Sequence, residues 1–460
     1  MKKKFKMPHG WIIIIILLLL SCALTYIVPA GEYVRYADEA TGKNIVDPNS
    51  FSYVANSPVS PLQIPKLFID TCVNNATLIF VIMFITGALG IVMETGMLNA
   101  FCTKLVRFCS KKGRERLFIP LVMFVFALLG TSQSTDKVIA FAPLGVMLAL
   151  SMGYDAIVGI AIVLCGVGVG FSGGSLGIVT PLAQEIAELP LYSGVAWRLV
   201  ITFILYVVTC IYVCKYAAKV KADPKASYLY GVEGVMTFDT DESNDVKITW
   251  RHILVLIAFV ACLLIMVYGC VKRKWGFAEI GTLFIWMGII CGFLGGMTPS
   301  QMCKVFIANI GKGAGAAIVV GLGATVSTIL TGGMIIDTIV HACAGLLVHT
   351  PHFLAGPVMY VFTALMNCLI PSGNGKAVVL MPILVPLSDL IGLSRQTTVS
   401  AYLMGDGLCN YILPHAAALM GFLGLTNVPY DRWIKFMFKL FLIQSVVAII
   451  ICAIGQTFGG

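Results

Sequence analysis

The sequence predicts an all-α polytopic membrane protein made of two inverted-topology repeats, each with a re-entrant hairpin and a broken transmembrane helix. Three observations predict it. Of 460 residues, 58% are hydrophobic and only 12% charged, whereas a soluble chain carries about 25% charged residues. One pattern occurs twice. Gly130-Thr-Ser-Gln-Ser-Thr-Asp-Lys137 and Pro371-Ser-Gly-Asn-Gly-Lys376 are small polar runs ending in a lysine, and each lysine is followed by five apolar residues and a proline. Lys137 to Lys376, Pro143 to Pro382 and Gly153 to Gly392 are each separated by 239 residues. Finally, a glycine-interrupted apolar stretch follows each run, Gly170-Phe-Ser-Gly-Gly-Ser-Leu-Gly177 and Gly405-Asp-Gly-Leu-Cys-Asn410.

Each element has its own warrant. Four lysines lie in the first six residues, before an apolar run from Trp11 to Val28. That run is long enough to span a bilayer, and no small-residue cleavage site follows, so it reads as a retained first helix with a cytoplasmic N-terminus. Residues 31–60 are polar and read as an extracytoplasmic loop. Pro61 to Asn75 reads as an interfacial helix, and Thr77 to Val92 as an inward crossing. Lys104, Arg107, Lys111, Lys112, Arg114 and Arg116, with Glu115 as their only acid, mark 98–116 as cytoplasmic.

Leu117 to Leu129 is apolar but too short to cross. With the polar run 130–137 as a tip and the return to Met152, it forms a hairpin entering from the cytoplasm. Asp155 onward is a helix broken at 170–177. Trp197 to Tyr216 crosses back and ends among Lys215, Lys219, Lys221 and Lys225. A polar linker with an acidic patch at 239–245 follows, then two crossings, His252 to Cys270 and Phe277 to Gly296. Lys272-Arg-Lys274 between them is expected outside, against the positive-inside tendency.

The second half repeats the first. Pro299 opens an interfacial segment, Ala314 to Ile329 crosses, and His352 to Leu390 forms a hairpin around tip 371–376. A helix broken at 405–410 comes next, and Trp433 to Cys452 is the last crossing. The divisions expected are 1–60, 61–218 for the first repeat, 219–298 for linker and connecting helices, and 299–460 for the second repeat. Nine crossings in all put the equivalent starts Pro61 and Pro299 on opposite sides, hence the inversion, and place the C-terminus outside.

Polar groups inside apolar sequence cost several kcal/mol each unless satisfied. The tips must therefore face protein, water or a ligand, and two inverted hairpins meeting at one site form a device for alternating access. Ser132, Ser134, Thr135, Lys137, Ser372, Gly373, Asn374 and Lys376 are the expected substrate-binding residues. Helix starts with lysines beside them suit a carboxylate. Ser172, Ser175, Ser372, Asn374, Asp406 and Asn410 supply oxygens suited to sodium, with carbonyls expected to be freed by Gly405 and Gly407. A proton on Asp406 is the alternative coupling device. His415, behind Pro414, reads as a packing residue.

Fifteen cysteines lie scattered in apolar runs with no paired spacing, and read as packing residues. The net charge of +9 gathers at segment ends, which signals topology and argues against nucleic-acid binding. Six histidines in no metal-ligand spacing disfavour a membrane-embedded enzyme. An inverted repeat within one chain disfavours a channel. No cofactor is expected beyond sodium ions.

The chain resembles the four-carbon-dicarboxylate anaerobic carrier family, particularly its YfcC-like branch, within the ion transporter superfamily. The resemblance covers nearly the whole chain. It rests on Met7-Pro-His with Tyr26-Ile-Val-Pro-Ala-Gly-Glu32, Gly153-Tyr-Asp155, Ala183-Gln184 through Leu189-Pro190, Ser372-Gly with Met381-Pro382, and Gly405-Asp-Gly through Pro414. It implies a secondary transporter of the bacterial cytoplasmic membrane, a homodimer, driven by sodium or protons. The branch tends to carry paired glutamates where Asp136 and Lys137 stand, an Asn-Pro-Phe turn where Leu176-Gly-Ile178 stands, and Gln where Lys376 stands. Both tip changes add positive charge. The expectation is therefore a coupled carrier of a small carboxylate or amino acid, an anionic or zwitterionic substrate, with a basic amino-acid antiporter as the alternative.

Overall fold

The computed structural model describes residues 10–38, 43–97, 100, 115–177, 179–232, 234–235, 248–273, 275–347, 350–370 and 372–458. The opening Met7-Pro-His, the basic residues 104–114, the acidic patch 239–245, Ile178, Lys274, Pro371 and Gly460 lie outside them. Helices dominate: α1 Gly10–Ile27, α2 Ile64–Asn74, α3 Ala76–Glu94, α4 Glu115–Gly130, α5 Ala142–Ser151, α6 Ala156–Gly173, α7 Val179–Ile186 and α8 Val195–Ala222. After the linker come α9 Trp250–Lys272, α10 Phe277–Leu294, α11 Pro299–Gly332, α12 Ile336–Leu347, α13 Ala355–Asn367, α14 Gly373–Leu390, α15 Arg395–Cys409, α16 Ala417–Leu425 and α17 Tyr430–Phe458.

Among the described residues, α3, α6, α8, α10 and residues 430–455 of α17 are long and apolar enough to cross a membrane. Leu117–Gly130 is not, as its length in sequence indicated. The chain is a multi-pass membrane protein.

The 239-residue offset reaches well beyond the tips. α5 and α14 end at Ser151 and Leu390, α6 and α15 start at Ala156 and Arg395, and α7 and α16 end at Ile186 and Leu425. Asp155 caps α6 by accepting from Val158 N, and Ser394 caps α15 by accepting from Thr397 N. Left-handed residues recur at the same spacing: Gly153 (φ 79°) with Gly392 (φ 74°), and Glu188 with Asn427, both at φ 54°. Each position ends a helix, where a positive φ turns the chain out of its last turn.

The equivalent turns 152–155 and 391–394 sit at opposite ends of α8, a helix about 42 Å long at 1.5 Å per residue. Asp155 accepts from Tyr216 at 2.5 Å, near the C-terminal end of α8, and from Ser227 at 2.6 Å just beyond it. Arg395 and Gln396 instead meet its N-terminal end. Arg395 pairs with Glu188 at 2.7 Å, and Gln396 donates to Ser193 at 2.5 Å and accepts from Arg198 at 3.3 Å.

Four expectations are corrected. The chain is not all-α, because residues 31–53 contain two antiparallel ribbons, Gly31–Glu32 with Ser52–Tyr53 and Arg35–Asp38 with Lys43–Val46. α11 runs unbroken for 34 residues where an interfacial piece and a separate crossing were expected, whereas its counterpart breaks at Asn75 between α2 and α3. α6 continues to Gly173, loosened by a π-helical turn at Ala161–Cys165, and breaks only at Gly174 (φ 61°). α15 runs straight through Gly405 and Gly407 to Cys409, and the second break falls at 410–416, around Pro414.

The last correction has a packing cause. A Cβ at Gly407 would fall on Ser172 of α6, and one at Gly405 on Thr363 of α13. The glycines let three helices approach, and they free no carbonyls. Pro414, which lacks an N–H, sits in the real break. Aromatic donors of α17 satisfy the carbonyls exposed there: Trp433 Nε1 donates to Tyr411 O at 2.8 Å and Tyr430 OH to Ile412 O at 2.5 Å.

Candidate functional site

Both tips line one cavity of about 550 Å³. Tip 1 contributes Ser134, Thr135 and Asp136, and tip 2 contributes Ser372, Gly373 and Asn374. The breaks contribute Phe171 and Val179 from the first half, and Asn410 and His415 from the second. Asn74 and Asn75 at the α2–α3 junction, and Ser327 and Thr328 in the middle of α11, close the wall. Thr71 and Thr328 bridge hydroxyl to hydroxyl at 3.2 Å, tying these two walls together.

Tip 1 turns from α4 into a 3-10 segment, Thr135–Phe141, which ends where Pro143 removes a backbone donor from the first turn of α5. α4 lies tightly on α6, since a Cβ at Gly130 would strike the Val167 backbone and one at Gly170 the Ala127 carbonyl. Leu176 N donates to Thr131 O at 2.9 Å, pinning the tip to the first break. Tip 2 leads directly into α14. There Ser372 Oγ accepts from Gly375 N at 3.2 Å as an N-cap.

The expected site residues separate into two groups. Ser134, Thr135, Ser372, Gly373, Asn374, Asp406 and Asn410 line the cavity. Ser132, Lys137, Lys376, Ser172 and Ser175 are not in its wall. Ser132 Oγ donates to Leu129 O, and Ser172 Oγ donates to Gly168 O beneath Gly407. Ser175 is buried, and its Oγ has no hydrogen-bond partner among the described residues. The two lysines thus differ: Lys137 is half-buried, while Lys376 is 0% exposed.

Lys376 reaches inward from the first turn of α14. Its Nζ donates to Asn367 Oδ1 at 2.7 Å and to Asp406 Oδ1 at 2.8 Å, and lies 5.3 Å from the centre of the Tyr402 ring. Asn367 Nδ2 donates to the Asp406 carbonyl at 3.0 Å and to Asn410 Oδ1 at 3.1 Å, and Tyr402 OH donates to Gly373 O at 2.6 Å. Lys376, Asp406, Asn367 and Tyr402 are each at most 1% exposed. A buried charge persists only when paired and hydrogen-bonded, and here both charges are. The Asp406 carbonyl and Oδ1, expected as ion ligands, are occupied by Asn367 and Lys376. Oδ2 lies beside Gly373, where a Cβ would come within 2.7 Å of it.

The charge of the wall follows. Asp406 is neutralised by Lys376, and Lys137 stands outside the wall. Asp136 forms no ion pair or hydrogen bond through its side chain among the described residues, and it is the acid left facing the cavity. The rest of the polar wall is hydroxyl and amide. Sequence reasoning missed Asn367, Tyr402, Asn74, Asn75, Ser327 and Thr328. It also took His415 as a packing residue, whereas His415 is buried in the cavity wall with no hydrogen bond of ordinary length to its ring nitrogens among the described residues. Among the described residues, no group of three His, Cys, Asp or Glu could hold a metal ion.

The sequence matches the C4-dicarboxylate anaerobic carrier family over residues 7–457. The chain belongs to that family. It is 29% identical to the Escherichia coli K12 protein named "Putative basic amino acid antiporter YfcC" over 493 residues, covering 97% of this chain and 96% of that one. It is 25% identical to an uncharacterised Haemophilus influenzae protein over 504 residues, covering 98% of this chain and 97% of that one. Two solved structures align along the chain, each at a TM-score of 0.43: the Alcanivorax borkumensis YdaH transporter (17% identity, 98% and 99% covered) and Neisseria gonorrhoeae MtrF (16%, 98% and 96%). The protein is a membrane transporter and not an enzyme.

Proposed function

We propose that this carrier moves a small amino acid across the membrane by alternating access, coupled to a gradient of sodium or protons. One observation carries the reading: both tips and both helix breaks, two from each half of a repeated sequence, line a single cavity. Inversion of the repeats, with bounds near 61–218 and 299–460, is supported by the equivalent turns meeting opposite ends of α8. Two half-structures related in that way exchange shapes around a shared site, opening it to one side and then the other.

The substrate class follows from the wall. A carboxylate without a protein counter-charge, among hydroxyls and amides, favours a ligand bearing an ammonium group. Asp136 receives that group, while Asn374, Asn410 and the first amides of α14 face the polar remainder. A basic amino acid, as in the name of the Escherichia coli relative, fits this wall. A C4-dicarboxylate, as in the family name, would bring two negative charges toward Asp136. Thermal stability of the purified protein, read with arginine, ornithine, alanine, succinate and fumarate, tests the reading. Stabilisation by amino acids and not by dicarboxylates is expected. Stabilisation by dicarboxylates alone would overturn the amino-acid assignment.

A further inference from the structure

Resting on the transporter reading above, we infer that the Lys376 ammonium is a tethered cation filling the place of a coupling ion, so that this locus is closed to sodium. The shell around Nζ is the kind an alkali ion requires: a carboxylate oxygen at 2.8 Å, an amide oxygen at 2.7 Å and the face of an aromatic ring. Its members come from every part that must move relative to another. Asn367 ends the helix entering the second hairpin, Lys376 begins the helix leaving it, and Tyr402 and Asp406 belong to the broken helix behind. A free ion bound there would join the same parts.

Position links the locus to the substrate. Asp406 lines the cavity, and its Oδ2 lies beside Gly373 of tip 2. Tyr402 OH holds the Gly373 carbonyl at 2.6 Å. A ligand entering between the tips therefore meets the outer edge of the same carboxylate whose inner oxygen holds the lysine. With the ammonium in place the carboxylate is neutralised, and a sodium ion added beside it would be an uncompensated buried charge. The charge of the locus then changes during a cycle only by proton exchange: Nζ–H breaks, the proton passes to water in the opened cavity, and a neutral amine remains beside Asp406.

The test removes the tether and leaves its shell. Lys376→Gln keeps Asp406, Asn367 and Tyr402 around a vacated cation position. Wild type, Lys376→Gln and Lys376→Gln/Asp406→Asn are melted in sodium chloride and in choline chloride at equal ionic strength, without substrate. The expected result is a sodium-dependent rise in the melting temperature of Lys376→Gln, larger than any in wild type and lost in the double variant. A folded Lys376→Gln with no sodium response beyond that of wild type overturns the inference. So does a variant that fails to fold in sodium as it fails in choline, because sodium should then replace the missing ammonium. These melts need no transport substrate, so the inference can fail while the transporter reading stands.

Discussion

Replacing Asp406 by Asn tests the buried pair at the centre of the second half. The substitution keeps shape and an amide oxygen, but leaves the Lys376 ammonium with Asn367 Oδ1 and the Tyr402 ring as its only partners. Two effects add. A charge-assisted hydrogen bond of 2.8 Å is lost, worth about 1.5–3 kcal/mol. The remaining ammonium is buried without a counter-charge, and removing one partner of a buried pair costs about 3–5 kcal/mol in all. Lys376→Met should cost a similar amount for the mirror-image reason. Lys376→Met/Asp406→Asn removes both charges, and its cost should fall short of the summed single costs by about 2 kcal/mol or more. Unfolding of all four proteins in detergent and sodium-free buffer closes the cycle. A coupling energy below about 0.5 kcal/mol would refute the claim that the two groups depend on each other.

Further outcomes follow from other contacts. Asp136→Asn should lower uptake of a cationic or zwitterionic substrate at least tenfold in proteoliposomes while leaving the melting temperature within a degree or two, since Asp136 holds no other group; Lys137→Gln, off the cavity wall, should transport normally. Gly407→Ala forces a methyl onto Ser172 between α15 and α6 and should destabilise by about 1–3 kcal/mol, with Gly407→Ala/Ser172→Gly recovering most of the loss in thermal melts. At the helix-end turns, hydrogen bonds from Arg395 hold the Asp389 carboxyl below its ordinary range. That pair's contribution is therefore complete above the ordinary carboxylate pKa and fades as the pH falls through the lowered one. As an exposed pair it is worth less than about 1 kcal/mol, so Asp389→Asn should narrow the wild-type stability difference between neutral and strongly acidic pH only slightly.

Much of this was legible in the chain because repetition is a strong signal. Two lysines, two prolines and two glycines at one offset marked the tips, and both tips line one cavity. What the lysines do was not legible. Lys137 and Lys376 occupy equivalent positions, yet one is buried on a carboxylate contributed by a different helix, a partner 30 residues away that only the folded crossing brings near. The glycines of 405–407 misled for a definable reason. In apolar sequence a glycine either unwinds a helix or admits a neighbour, and periodicity alone cannot separate the two. Pro414, four residues past Asn410, was the better marker of the break. The neutralised Asp406 also changes the inferred substrate, because the extra lysines added no free positive charge to the wall.

The central claim is that tips from both halves hold one substrate. No cysteine lines the cavity among the described residues, so Ser134→Cys and Asn374→Cys each introduce a thiol that reports on it. Each variant is labelled with a maleimide over a range of concentrations of the amino acid that stabilises the protein. The account predicts protection of both thiols with the same half-maximal concentration. Protection of one tip with the other labelling freely at saturation would contradict it.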